Sequence, residues 1–69
     1  MSEIVFLVED DPEQGYVASA LGTSIFTQGN TFEELRDNVR DAVRCHFPNE
    51  SDRPDAIRLH HVRDEVITP

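Results

Sequence analysis

The sequence is short of what usually anchors or crosslinks a very small protein. It has one cysteine, Cys45, in 69 residues, which excludes an intrachain disulfide framework and fits a reducing cytosol. Basic side chains are scarce: six Lys and Arg stand against fourteen Asp and Glu, for a formal net charge of −8. Coulomb contact with a phosphate backbone is then unfavourable on average, so no direct nucleic-acid binding is expected, whereas a basic protein would be steered inward. Long hydrophobic runs are missing as well. The longest, Ile4 to Val8, has five residues, follows no basic segment and leads into an acidic cluster, so neither a signal peptide nor a membrane span is expected and the protein reads as soluble and cytoplasmic.

What remains is room for a single domain, residues 1–69, near the lower limit for one apolar core without metal, crosslink or second subunit. Residues 3–10, EIVFLVED, form an unbroken β-branched and aromatic run, the pattern of a central strand covered on both faces. DDPEQG carries the Asp, Pro and Gly of a tight connection, and strands are expected at 15–21 and, after Gly22, at 23–28 around Ile25 and Phe26. Short turns between them predict an antiparallel meander.

The hydrophobic period changes at QGNTFEEL. Phe32, Leu35, Val39, Ala42, Val43 and His46 recur at spacings of three and four, predicting an amphipathic helix over 32–47 stopped by Pro48. Glu33, Arg36, Asp37, Arg40, Asp41 and Arg44 make its solvated face. PNESDRPD, with two prolines and no apolar residue, reads as a loop, and AIRLHHV at 56–62 as a fourth strand. The tail RDEVITP leaves two readings, a short edge strand at 65–68 or a segment packed on a second subunit. The fold class is thus α+β, in the order β-β-β-α-β, with the helix on one face of the sheet.

A glycine before a helix can cradle a phosphate through its free N–H groups and dipole. Here Thr31 followed by Glu34 is the capping-box spacing, which occupies those N–H groups, and the Gly and Lys of a P-loop are missing. The stretch reads as a joint. Cys45, His46, His60 and His61 are the only soft or imidazole ligands; His60 and His61 alternate across a strand, so His46 with His61 is the favoured pair if a metal binds. His46 is expected at the core edge, and Cys45 as a half-buried structural thiol, poorly placed for nucleophilic partnership with its neighbour. Glu9, Asp10, Asp11 and Glu13 resemble in number a divalent-metal hydrolase site, but sit where turn formers belong and lack a second carboxylate element. Tyr16 and Phe26 read as sheet packing. No catalytic residue, metal or cofactor is expected.

A single helix covers one sheet face, yet the first strand is apolar on both: Ile4, Phe6 and Val8 against Val5 and Leu7. Leaving the second set wet forfeits about 1.5 to 3 kcal/mol per side chain, so a homodimer, or a tetramer built from it, is expected, with Val5, Leu7, Tyr16, Phe26, Val66 and Ile67 at the interface.

The chain resembles the HicB-like antitoxin domain over roughly residues 3–47. The motifs that carry the resemblance are G-Y-V-A after an acidic turn, then T-Q-G-N-T-F-E-E-L running into R-D-N-V-R-D-A-V, with matches at Gly15, Tyr16, Gly29, Thr31, Glu33 and Glu34. The resemblance implies a truncated ribonuclease H-like β-β-β-α-β fold without a nuclease site, an oligomeric state, and binding to a small basic ribonuclease toxin. Two departures bear on this: ALGTS replaces the family's proline and PGC run between the second and third strands, and no DNA-binding module is expected after the fourth. The expectation is a non-enzymatic protein acting through protein contacts, antitoxin-like or as an oligomeric binder of another partner.

Overall fold

The computed structural model describes residues 2–69. The elements follow in the order β1 (Glu3–Asp11), β2 (Gly15–Ala20), β3 (Phe26–Gly29), α1 (Phe32–His46), a 3-10 turn at Glu50–Asp52 and β4 (Ala56–Val62). They form one four-stranded sheet ordered β3-β2-β1-β4. β1 pairs antiparallel with β2, β2 antiparallel with β3, and β1 parallel with β4, so the first three strands make the expected meander and the sheet as a whole is mixed. β1 is an inner strand, as its two-sided apolar run requires.

The connections have local causes. The Asp11 Oδ1 accepts from the N–H groups of Glu13 and Gln14, each at 2.9 Å, an Asx turn that reverses the chain, and Gly15 then takes φ +84°. β3 is shorter than its sequence suggests. Gly22 turns at φ +81°, and Ile25 donates to the Thr23 carbonyl at 2.9 Å, so pairing starts at Phe26, three residues after the expected start. Ile25 reaches the core from the turn instead.

α1 begins at Thr31, whose hydroxyl accepts from the Glu34 N–H at 3.0 Å. Only this half of the expected capping box forms; the Glu34 carboxylate makes no return bond to Thr31 among the described residues, and Glu33 and Glu34 act on the helix dipole instead. Thr31→Ala is expected to cost about 1 kcal/mol, read as a lowered thermal midpoint with unchanged circular dichroism before the transition. At the other end the helix stops at His46, one residue before the expected boundary, because Phe47 precedes Pro48 and leaves helical geometry at φ −121°, ψ 77°. Arg53 closes the end by donating to the carbonyls of Phe47 and Pro48 at 3.2 and 3.4 Å.

The core lies between α1 and one sheet face. Ile4, Phe6 and Val8 of β1, Ala18 of β2, Ile25, and Leu35, Val39 and Val43 of α1 are buried, with no buried polar side chain among them. The helix sits over β2 and β3. Gly29 makes this possible: a Cβ there would lie 2.5 Å from the Leu35 nitrogen, so the first helical turn rests directly on strand backbone. Gly15 fills the same role one layer out, where a Cβ would meet the Asn30 carbonyl oxygen at 2.6 Å. The QGN stretch is therefore a joint in which backbone packs on backbone, tied further by the Asn38 amide donating to the Gln28 carbonyl at 2.7 Å.

Beyond β4 the tail, 63–69, has no secondary structure and is exposed throughout. The edge strand expected at 65–68 does not form. Val66 and Ile67 stand 96% and 77% exposed.

Candidate interaction surface

The face of the sheet away from α1 is assembled by register. Val5 lies opposite Arg58, Leu7 opposite Ser19 and His60, and Glu9 opposite Val17 and Val62; Phe26 pairs with Ser19 and Gln28 with Val17. Because side chains alternate along a strand, all of these share the face opposite Phe6 and Val8. Leu21 joins them by donating its N–H to the Val5 carbonyl at 2.9 Å. Six apolar side chains, Val5, Leu7, Val17, Leu21, Phe26 and Val62, thus occupy a surface that nothing among the described residues covers. Phe26 and Leu21 are 64% and 59% exposed, while Val5, Leu7 and Val17 are half-buried by their neighbours alone.

The rim is polar. Arg58 holds Glu3 through two contacts, Nε to Oε1 at 2.5 Å and Nη2 to Oε2 at 3.3 Å. That hydrogen bond lowers the Glu3 pKa and raises that of Arg58, so both stay charged across the physiological range. With His60, Glu9 and Gln28 they frame an apolar centre with hydrogen-bonding groups, the usual anatomy of a protein contact.

Tyr16 is not part of this surface. It stands opposite Asp10 in the ladder and therefore on the helix side, where its ring meets Phe32 edge-on at 5.4 Å and His61 at 5.7 Å. The sequence alternation across GYVASAL was too weak to choose its face; its pairing with Phe32, the first helical residue, is what decides. Cys45 and His46 are exposed rather than half-buried. The apolar stripe ends at Val43, and His46 instead packs edge-on against Phe47 at 4.8 Å.

The candidate chemical groups are dispersed. His61 lies 5.4 Å from Phe32 at the helix start, whereas His46 is the last helical residue, roughly 20 Å away at about 1.5 Å per residue. His60 faces the open side and His61 the helix side. Within the acidic turn, Asp11 is engaged by backbone N–H groups, and Asp10 lies 3.2 Å from His61 Nε2 and 4.0 Å from Arg63 Nε. Among the described residues no three His, Cys, Asp or Glu side chains are grouped so as to hold a metal ion, and no helix is long and apolar enough to cross a membrane.

Comparison with known proteins finds two close relatives. A protein of Archaeoglobus fulgidus named UPF0150 protein is 55% identical over 51 residues, 74% of each chain. One of Thermotoga maritima with the same name is 40% identical over 65 residues, 94% of this chain and 90% of its own. No family model matches the sequence, and no solved structure matches it.

Proposed function

The chain belongs to the UPF0150 family, and from that premise we propose a non-enzymatic binding protein that pairs with a second copy through its open sheet face and presents an acidic exterior to a small basic partner. The observation that carries this reading is the uncovered patch of Val5, Leu7, Val17, Leu21, Phe26 and Val62. Full burial is worth about 1.5 to 3 kcal/mol per large apolar side chain. Even at half that for side chains already partly covered, six from each copy yield roughly 10 to 20 kcal/mol, comparable with or above the 4 to 15 kcal/mol estimated cost of association. An isologous sheet-to-sheet dimer uses one patch twice and needs no second surface.

The net charge of −8 supports the second half. It repels nucleic acid and accelerates encounter with a basic protein. Together with the HicB-like pattern at Gly15, Tyr16, Gly29, Thr31, Glu33 and Glu34, it favours an antitoxin-type role, the neutralisation of a small basic ribonuclease.

Sedimentation equilibrium tests the pairing. The native chain is expected to be dimeric at micromolar concentration, and Leu7→Glu or Phe26→Glu to stay folded but lose this dimer, since either buries an unpaired carboxylate in the contact. A native chain that stays a folded monomer at those concentrations overturns the proposal. Purification from the native host at low salt should retain a basic chain that 1 M NaCl releases, because screening at that strength reduces the Debye length to about 3 Å.

A further inference from the structure

On the helix side of the sheet a second uncovered feature exists. α1 sits over β2 and β3 and makes no close backbone approach to β4, which leaves a groove between the helix and the last strand. Its floor is Val39, Ile57 and Leu59, and its walls are Arg36, Arg40, Arg44 and Arg53. The groove consists of two adjoining hollows that share Arg40 and Ile57, and together they are lined by four of the six cationic side chains of this acidic protein. The helical three recur every four residues along one edge of α1, so they form a row parallel to the floor.

None of the four is held by a strong partner. Arg40 and Arg44 reach Asp37 and Asp41 at 3.1 and 3.7 Å, but all four side chains of these pairs are more than half exposed, where such pairs are worth about 0 to 1 kcal/mol. Arg36 lies over the Phe32 ring at 5.9 Å, and Arg53 spends its donors on helix-end carbonyls. The single carboxylate in the lining, Asp55, accepts from the Ser2 backbone N–H at 3.3 Å.

The tail has the complementary chemistry. Asp64 and Glu65 are followed directly by Val66 and Ile67, two acids and two of the most exposed large apolar side chains in the protein. We propose that the tail of a second copy docks in this groove, its carboxylates on the arginine row and Val66 and Ile67 on the Val39, Ile57 and Leu59 floor. The second copy is favoured over the chain's own tail because reaching its own groove requires a sharp reversal just after Val62. The segment RDEV offers no Gly or Asn for the positive φ of a tight hairpin. The contact uses the sheet side opposite the apolar patch and is independent of the pairing proposed above. Acting with it, a reciprocal tail exchange supplies the second interface by which dimers close into a tetramer.

Charge reversal in the full-length chain tests this. Asp64→Arg with Glu65→Arg, and separately Arg40→Glu with Arg44→Glu, should each weaken the tail-dependent association step about tenfold or more, while thermal melts show both folded. Carrying all four changes in one chain should restore association. Leu7→Glu should leave this step intact, which separates it from the open-face dimer. In a Cys45→Ser background, Pro54→Cys, at the groove lining, and Thr68→Cys chains mixed together should give an interchain disulfide. Unchanged association in either reversal, no restoration in the combination, or a disulfide that forms only within a chain carrying both cysteines would overturn the proposal.

Discussion

Phe6→Ala is expected to leave too little stability for the chain to stay folded at 37 °C. Phe6 is fully buried at the centre of β1, flanked on the same strand by Ile4 and Val8 and roofed by the helical residues Leu35, Val39 and Val43. Truncating such a side chain costs about 3 to 5 kcal/mol, the lost transfer energy plus the cavity left behind. A domain of this size has only roughly 3 to 10 kcal/mol to lose at about 0.05 to 0.15 kcal/mol per residue. Urea titration followed by circular dichroism should show the midpoint falling with an unchanged slope. Because association also adds to apparent stability, the titration belongs at several protein concentrations, where Phe6→Ala shifts the curve at all of them and Leu7→Glu removes the concentration dependence that the open-face dimer contributes.

Gly29→Ala should be nearly as damaging, although it adds a single methyl group. The new Cβ would lie 2.5 Å from the Leu35 nitrogen, 2.8 Å from its Cα and 3.0 Å from the Glu34 carbonyl carbon. All three are helix backbone, so no side chain can swing aside and the first turn must rise by about 1 Å to reach ordinary contact. That lift loosens Leu35 and Val39 from the sheet together. Overpacking in a well-filled core costs about 1 to 3 kcal/mol and occasionally more, and the upper end is expected because the displaced element is rigid. The diagnostic is a loss comparable with Phe6→Ala in a variant whose buried apolar area is unchanged. A loss below about 0.5 kcal/mol, the range of a surface change, would mean that the helix does not rest on β3 as described.

Much of this architecture is legible in the chain itself. The run Ile4 to Val8 specifies an inner strand, and the stripe from Phe32 to Val43 specifies the helix and its buried face, because both patterns persist long enough for one period to dominate. Three readings needed coordinates. Tyr16 lies on a strand whose weak alternation leaves its register open, and a one-residue slip exchanges its two faces. Ile25 reads as strand but enters the core from a turn, since burial does not require a ladder. His46 continues the numerical spacing of the stripe, yet it is exposed and packs on Phe47 rather than in the core. The open face was legible in part: Val5, Leu7 and Phe26 follow from alternation, whereas Val17, Leu21 and Val62 join them only through cross-strand pairing. The arginine groove was not legible, because it depends on the helix standing over β2 and β3 rather than over β4.

The parallel pairing of β1 with β4 has a consequence for how the molecule is born. β1 leaves the ribosome well before its parallel neighbour and must wait beside a vacant edge until residues 56–62 have emerged. During that interval the meander and helix can assemble while backbone donors and acceptors of β1 remain open. Synthesis paused before residue 56 would therefore present a sticky intermediate to chaperones, and to sibling nascent chains on the same message.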